Sequence, residues 1–310
     1  MQYLKPSTIK HPFSSLSINY FHVTLSKQFF QLCCVLINTL KKHLEILTTH
    51  FICTVYIHYG DIPMLNVSET EWSLRADLAA VFHLAVANNL HEAIANHFSA
   101  LLPDNQHFLI NPFGLHFSEI TASNLIVCDF DGKVVRGDGV PSPSAHHIHA
   151  PIHRLVPRAR VLLHTHQPYA TALTMIAGGR LEWTLQTTCR FYGRVGYDTD
   201  YDGVALSITV GERMAKMLGE FEVLFLGNHG VMTAAPTVAQ AFDDLYFVER
   251  VAQTQILAMS SGRPLTLLAP ELIEQVAAQT RHERLELGYI ERHFEAQKRL
   301  LDAAGGFYRQ

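Results

Sequence analysis

Val161-Leu162-Leu163-His164-Thr165-His166 is the stretch that decides the fold, and Val223-Leu224-Phe225-Leu226 shares its continuous apolar character. Short runs of this kind are typical of strands that are buried on both faces. Pro168 suits the first turn of a helix that follows the first run, and Gly178-Gly179 suits its end. Strands that alternate with helices in this way predict an α/β domain built in layers.

Other segments extend this order of strands and helices along the chain. Residues 108–110 are typical of a short strand that ends in a turn. Residues 125–129 and 132–135 predict a hairpin, since an Asp-Gly pair lies at the turn between them. Residues 144–154 predict a helix, because their isoleucines are four positions apart.

Three capping boxes mark helix starts. In each, a Ser or Thr caps the helix and a Glu or Gln three residues later bonds back to it. They begin at Ser68, Thr209 and Thr237. The helix after Thr237 is expected to stop near Ser261-Gly262, and a last, charged helix is expected over residues 270–304. No repeat or linker separates these elements, so they predict a single domain.

The composition is that of a globular protein rather than of a nucleic-acid-binding or disulfide-rich one. Of the 310 residues, 48% are hydrophobic and 17% are charged. A chain of this length and hydrophobic fraction can bury a large core. The formal net charge is −4 and no basic run occurs, so nucleic acid and anionic membranes are not expected as partners. Five irregularly spaced cysteines predict no disulfide framework, and we expect a cytoplasmic protein.

Residues 1–63 differ in composition from the rest of the chain. They contain no Ala and no Arg, and five Lys against two acidic residues give them a formal charge of +3, which leaves −7 for the remainder. A targeting peptide is one interpretation, but the apolar run 29–40 is shorter than a membrane span and no cleavage pattern follows it. We interpret residues 1–63 as a non-native or disordered extension upstream of the true start at Met64. Residues 64–310 are then the domain.

Three histidines at predicted strand ends are candidate ligands for a divalent metal. The side chains of His164 and His166 point the same way, because residues two apart on a strand share a face. His229 follows the second apolar run, within Gly227-Asn228-His229-Gly230, where the glycines allow backbones to approach closely. Three neutral imidazoles with one open position describe a catalytic zinc site. Ordinary core histidines are the alternative that spacing leaves open, because the chain has 19 His.

These motifs occur in an order that resembles the class II aldolase/adducin family. The matching segments are residues 110–114, 119–123, 148–153, 163–166 and 226–230. The resemblance implies a three-layer α/β/α sandwich around a mixed, mainly antiparallel sheet. It also implies that His164, His166 and His229 bind zinc or another divalent metal such as manganese. The expected substrate is a small molecule, and the expected assembly is a homo-oligomer, often a tetramer.

The resemblance is incomplete at the position of the general base. Family aldolases carry a Glu nineteen residues before the first His of the pair, and here that position is Ala145. His146 or His147 could replace it as a base near neutral pH, or both could lie on the helix surface. Candidate general acids, which could equally be core or interface aromatics, are Tyr192, Tyr197 and Tyr201. The catalytic residue therefore stays unassigned.

The phosphate pocket implied by the resemblance is also incomplete. Family aldolases hold phosphate with three residue pairs, of which this chain keeps the candidate substrate-binding residues Asn96, Gly114 and Ser144. Their partners in the pairs are replaced by Ala95, Phe113 and Pro143. An aromatic ring in place of a hydroxyl donor suits a phosphate badly, so we expect an unphosphorylated substrate.

The sequence predicts a divalent-metal-dependent lyase that cleaves a carbon–carbon bond of a small hydroxy-carbonyl or hydroxy-acid compound by a retro-aldol type of reaction. A metal-dependent decarboxylase of the same fold is an alternative, since both reactions pass through an anion that a metal stabilises. A non-catalytic adducin-like binding domain is a second alternative. The missing Glu and the incomplete phosphate site favour this last interpretation, and the three intact histidines oppose it.

We predict that a chain beginning at Met64 equals the full chain in melting temperature and in assembly. The preceding segment lacks the Ala and Arg that the rest of the chain uses, so its removal should leave the fold intact. Thermal unfolding and light scattering of the two chains measure this. A clearly lower melting temperature after truncation would show that residues 29–40 pack into the fold, contrary to the prediction.

Overall fold

The computed structural model describes residues 66–201 and 203–310. The expectations for residues 1–63 and for Met64 lie outside these described residues. Eight strands occur in the described part, namely β1 His97–Leu101, β2 His107–Ile110, β3 Ile126–Asp129, β4 Val134–Arg136, β5 Val161–Thr165, β6 Val195–Asp198, β7 Val223–Leu226 and β8 Gly230–Ala235. Seven α-helices accompany them there, namely α1 Glu69–Ala87, α2 Pro143–Leu155, α3 Pro168–Thr174, α4 Ile208–Leu218, α5 Val238–Met259, α6 Pro270–Leu285 and α7 Tyr289–Ala303.

The eight strands form one mixed sheet in the order β4-β3-β2-β1-β5-β8-β7-β6. Every neighbouring pair is antiparallel except β6 and β7, which are parallel. β5 is paired on both sides, so that His164 lies opposite His97 of β1 and opposite Met232 of β8. The predicted mixed, mainly antiparallel sheet is confirmed.

Helices cover both faces of the sheet. Successive side chains of each strand point to opposite faces, so apolar side chains on both faces are buried against helices. Leu163 of β5 packs in the larger apolar cluster with residues of α1 and α5, among them Phe82 and Leu245. Leu162 packs on the opposite face with residues of α2 and α4, among them Ile152. The structure is thus the three-layer α/β/α sandwich that the resemblance implied.

Most predicted elements are confirmed, but three strands were not predicted. Strands β2, β5 and β7, the β3–β4 hairpin and helix α2 occupy the expected places. The missed strands β1, β6 and β8 lack a continuous apolar run, since β1 contains His97 and Ser99 and β6 contains Gly196. Pairing with a strand on each side buries β1 and β8, whereas β6 lies half-buried at the edge of the sheet. A local hydrophobic pattern does not reveal these positions.

Two predicted capping residues occupy their expected positions. Ser68 and Thr237 each accept a hydrogen bond at 3.2 Å from the backbone N–H three residues later. The return bond of the box is absent at Ser68, because the Glu71 carboxylate pairs with Arg75 and Arg136 instead. This carboxylate therefore joins a buried ion-pair cluster rather than completing the cap.

Three helix boundaries were predicted wrongly. Ser207 caps α4 instead of Thr209, since the Ser207 hydroxyl accepts the backbone N–H of Thr209. α3 ends before Gly178-Gly179, and residues 270–304 form two helices because Gly288, in the left-handed conformation, separates them. None of the helices in the described part of the chain has the length and apolar character that a membrane crossing requires.

Helices α2 and α4 approach each other closely at Gly211. A Cβ atom at this position would overlap the carbonyl oxygen of His147 and lie 2.8 Å from Cγ of Pro151. No side chain fits between the two helices there, so the glycine sets their separation. The same helix pair covers the sheet face on which His164 lies, since Leu162 and His164 share that face of β5.

We predict that Gly211→Ala lowers the free energy of unfolding by about 1–3 kcal/mol, the usual cost of overpacking. On an open helix surface the same change would instead stabilise the protein by about 0.5–1 kcal/mol, because glycine is a poor helix former. Chemical denaturation measures the sign, with Lys216→Ala on the exposed side of α4 as the control. A Gly211→Ala variant as stable as the wild type would contradict the close approach.

Candidate metal centre

The sheet topology brings the three candidate ligands to one edge. His164 is the second-last residue of β5 and His166 lies just beyond that strand, whereas His229 follows β7. β8 lies between β5 and β7 and is antiparallel to both, so that β5 and β7 run in the same direction. Their carboxyl ends therefore meet at the same edge, with the missed strand β8 between them.

Gly230 holds the turn between β7 and β8 against the end of β5. A Cβ atom at Gly230 would lie 2.5 Å from the carbonyl oxygen of Thr165 and 2.9 Å from Cδ2 of His166. Asn228 in the same turn has a φ of 52°, a left-handed conformation that Asn tolerates better than most residues. The close backbone approach expected at this glycine is confirmed, and it places His229 beside β5.

The three histidines form one cluster. Their ligand nitrogens all lie within 4.8 Å of one another, with His164 buried and His166 and His229 half-buried. Burial, and secondly the neighbouring histidines, lower the pKa of His229 to about 4 and hold the pKa of His164 well below its ordinary value. Both of these rings are therefore neutral at physiological pH, which is the form that binds a metal.

Further hydrogen bonds orient two of these rings. Nδ1–H of His164 donates to the Val231 carbonyl at 3.1 Å, and Nδ1–H of His166 donates to the Glu92 carboxylate at 2.6 Å. The two Nε2 atoms then both present lone pairs, and they lie 3.2 Å apart. Two nitrogens that each bind zinc at about 2.0–2.1 Å in a tetrahedron are roughly 3.3 Å apart. The residues present therefore fit a divalent cation.

Glu92 is a residue of this centre that the sequence did not reveal. Its side chain is 63% exposed, and it lies in the loop between α1 and β1, where no motif marks it. A carboxylate that accepts the second N–H of a histidine ligand is a common support for a bound metal. A single acidic residue in a polar loop carries no signal of its own, so only the fold shows that it reaches His166.

Two of the predicted substrate-binding residues, Asn96 and Gly114, lie in loops, and the third, Ser144, lies in the first turn of α2. Asn96 is buried, and its Nδ2 has no hydrogen-bond partner among the described residues. Gly114 is exposed, with open space where a Cβ atom would be, and Ser144 is half-buried. The backbone N–H of Phe113 donates to the Val140 carbonyl at 2.8 Å, which ties the Gly114 loop to the segment before α2. All three residues stay candidates for substrate binding.

The helix position that carries Glu in family aldolases is apolar here. Ala145 is buried in a cluster with side chains of β2 and β3. The ring of His146 lies against Gly132 in the β3–β4 hairpin, and Nδ1 of His147 is 3.4 Å from the Ala205 carbonyl oxygen. Neither ring forms a hydrogen bond or a ring contact with the three clustered histidines, so a base at either position gains no support from the structure.

Of the three tyrosines considered as general acids, Tyr201 is the one beside the cluster. Its ring centroid lies 6.2 Å from that of His229, and the residue is 51% exposed. Tyr197, which is half-buried, stacks on Phe225 and accepts a hydrogen bond from the backbone N–H of Leu181, and Tyr192 packs edge-on against Trp183. Tyr197 and Tyr192 thus serve packing, and Tyr201 stays a candidate acid.

The comparisons with known proteins agree with this architecture. Residues 76–256 match the model of the class II aldolase and adducin N-terminal domain. The chain belongs to this family. A Caulobacter vibrioides protein named after the class 2 aldolases is 37% identical over 68% of this chain and 84% of its own length. An adducin-related protein of Schizosaccharomyces pombe is 34% identical over 78% of each chain.

Solved structures and a further relative show the range of the family. An aldolase II superfamily protein from Pseudomonas syringae matches with a TM-score of 0.74 at 36% identity, covering 79% of this chain and 98% of that one. L-fuculose 1-phosphate aldolase from Glaciozyma antarctica matches with a TM-score of 0.69 at 25% identity, covering 81% and 97%. Decarboxylase NovR from Streptomyces niveus is 29% identical over 59% of this chain and 73% of its own. The family thus includes metal-dependent aldolases, decarboxylases and adducins.

We predict that protein purified without chelators carries about one divalent ion per chain, bound by three histidine ligands. Changing His164 and His229 together to Ala should remove the ion, since one remaining ligand binds weakly. Elemental analysis measures this, with the double variant His107→Ala and His282→Ala as a control that removes two histidines outside the cluster. Stoichiometric metal in the His164 and His229 variant would contradict the ligand assignment.

Proposed function

We propose that the protein is a divalent-metal-dependent lyase that acts on a small, unphosphorylated hydroxy acid or hydroxy-carbonyl compound. The clustering of His164, His166 and His229 within 4.8 Å carries this proposal. The Nε2 atoms of the first two present lone pairs to one point, which suits two ligands of a single ion. When bound, a divalent ion supplies the positive charge that stabilises an anion left by carbon–carbon cleavage.

The ligand set bears on the charge of the substrate. All three proposed ligands are imidazoles, and Ala145 supplies no carboxylate where family aldolases carry Glu. The charge of a divalent ion would then be offset only in part, by Glu92 through its bond to His166. An anionic group on the substrate is attracted by the remaining charge. The carboxylate of a hydroxy acid meets this requirement.

The surrounding loops favour a carboxylate or hydroxyl group over a phosphate. Phe113 is 56% exposed and offers a ring where family aldolases offer a hydroxyl donor, and the exposed Ala95 offers no side-chain donor. A phosphate needs several N–H or O–H donors around it. Asn96, whose Nδ2 has no partner among the described residues, is the clearest side-chain donor that is left.

A metal-dependent decarboxylase is the second candidate function, and one observation favours it. Retro-aldol cleavage needs a base to take a hydroxyl proton, whereas decarboxylation does not. Ala145 is buried among apolar side chains, so the helix offers no carboxylate base at the position that the family uses. In a decarboxylation, Tyr201 would protonate the carbon left after CO₂ departs, since its ring is 6.2 Å from that of His229.

We predict that the metal-loaded protein releases an aldehyde or CO₂ from an unphosphorylated hydroxy acid and cleaves L-fuculose 1-phosphate at most marginally. Losing two or three charge-assisted bonds to phosphate, at about 1.5–3 kcal/mol each, weakens binding by more than about a hundredfold. Coupled aldehyde and CO₂ assays over a set of hydroxy acids and ketose phosphates measure both reactions. The variant with His164→Ala and His229→Ala gives the background rate.

One variant, Phe113→Ser, tests the substrate class independently of the reaction type. Phe113→Ser restores a hydroxyl donor and should improve inhibition by inorganic phosphate while leaving the metal content unchanged. Efficient cleavage of L-fuculose 1-phosphate by the unmodified protein would overturn the substrate class. Release of neither aldehyde nor CO₂ from any tested compound by the metal-loaded protein would favour a non-catalytic, adducin-like domain instead.

A further inference from the structure

A buried chain of hydrogen bonds runs from helix α2 to the metal centre. Nδ1 of His153 lies 2.7 Å from the Ala159 carbonyl oxygen, and Nε2 of His153 lies 2.7 Å from Oγ of Ser99. The same Oγ lies 2.5 Å from Nδ1 of His149, and Nε2 of His149 lies 2.7 Å from Nδ1 of His97. We refer to these four side chains and the Ala159 carbonyl as the histidine relay.

The four side chains of the histidine relay lie inside the protein. Burial lowers the pKa of His153 to about 4 and holds the pKa of His149 well below its ordinary value. Among the described residues no carboxylate bonds to any of the three rings, so a charge on one of them would be buried without a counter-charge. The three imidazoles are therefore neutral at physiological pH. A neutral imidazole carries one N–H and one unprotonated nitrogen, so each ring of the relay can donate one hydrogen bond and accept one.

The Ala159 carbonyl decides the direction of every hydrogen bond in the relay. A carbonyl only accepts, so Nδ1–H of His153 donates to it and Nε2 of His153 must accept. The Ser99 hydroxyl therefore donates to His153 and accepts from Nδ1–H of His149. Nε2 of His149 then accepts from Nδ1–H of His97. His97 is left with an unprotonated Nε2.

His97 brings the end of the relay to the clustered histidines. It lies directly opposite His164 in the β1–β5 pair, and the two ring centroids are 4.9 Å apart. Among the described residues, Nε2 of His97 has no hydrogen-bond partner, whereas every other ring nitrogen of the relay has one.

We propose that the histidine relay presents Nε2 of His97 as a fixed hydrogen-bond acceptor for a hydroxyl group of the substrate. This inference rests on the proposed function, since it assumes that a hydroxylated compound binds at the metal centre. His97 is then a substrate-binding residue, and Ser99, His149 and His153 are positioning residues that act through it.

The relay selects for a hydroxyl donor because it removes the alternative tautomer. A free imidazole can present either an N–H or a lone pair, and the N–H form would favour a carbonyl or carboxylate. Moving the ring proton of His97 from Nδ1 to Nε2 would reverse the direction of every hydrogen bond in the relay back to Ala159. The Ala159 carbonyl oxygen cannot donate, so that tautomer is excluded.

Nitrogen-15 NMR of histidine-labelled, metal-free protein tests the relay without any use of turnover. Two-bond ¹⁵N–¹H spectra distinguish protonated from unprotonated ring nitrogens, and single histidine variants assign the signals. We expect Nδ1–H tautomers for His97, His149 and His153 in the wild-type protein. Ser99→Ala removes the acceptor of His149 and should give a mixture of tautomers at His97, whereas Ser99→Thr should restore the single form.

Ligand discrimination tests what Nε2 of His97 does. The probes are glycolate, which has a hydroxyl donor, and methoxyacetate, in which a methyl group replaces the hydroxyl hydrogen. Their binding to cobalt-loaded protein is followed by visible absorption. We expect the preference for glycolate to fall about tenfold in His97→Ala and in Ser99→Ala, the effect of one lost hydrogen bond. Ser99→Thr and the distant His107→Ala should keep the wild-type ratio.

Three results would overturn the inference. The first is an Nε2–H tautomer of His97 in the wild-type protein. The second is an unchanged ratio of glycolate to methoxyacetate binding in both His97→Ala and Ser99→Ala. The third is the loss of stoichiometric cobalt in His97→Ala, which would make His97 a metal ligand. If the proposed lyase activity fails while the tautomers and the discrimination are as expected, the role of His97 stands, because neither measurement uses turnover.

Discussion

The pairing of β5 with a strand on each side is the constraint on which the site depends. β1 sets His97 opposite His164 on one side, and β8 brings Gly230 against Thr165 on the other. A shift of register by one residue would turn the histidine to the opposite face, where Leu163 packs in the large apolar cluster. The cluster of ligands, the relay and the helices that cover them therefore all follow from the register of one strand.

Fixed acceptors from separate elements orient the imidazoles of this region. The acceptor for His164 is the Val231 carbonyl of β8, and the acceptor for His166 is the carboxylate of Glu92 in the loop before β1. The Ala159 carbonyl, in the loop between α2 and β5, plays the same part for the relay. Burial keeps the relay rings neutral and the acceptors decide their tautomers, so lone pairs are directed to the centre before any ligand arrives.

Helix α2 contributes to the centre in a different way from the one that the resemblance to family aldolases implied. Its first turn holds Ala145 in an apolar cluster, at the position where the resemblance implied a carboxylate. One turn and two turns later, His149 and His153 face the sheet and bond to Ser99. The helix therefore acts on the centre through β1, by hydrogen bonds and without charge.

The sequence by itself determined the layered α/β class, strands β5 and β7, and the three candidate ligands, because apolar runs and a His-x-His spacing are local patterns. It left β1 undetected, and with it His97 and Ser99, since a strand with buried polar side chains shows no apolar period. It gave no sign of Glu92 either, whose contact with His166 joins residues distant in the chain. Only the tertiary structure decided these contacts and the direction of the relay, because they depend on which strands pair and in which register, and that is a property of the whole sheet.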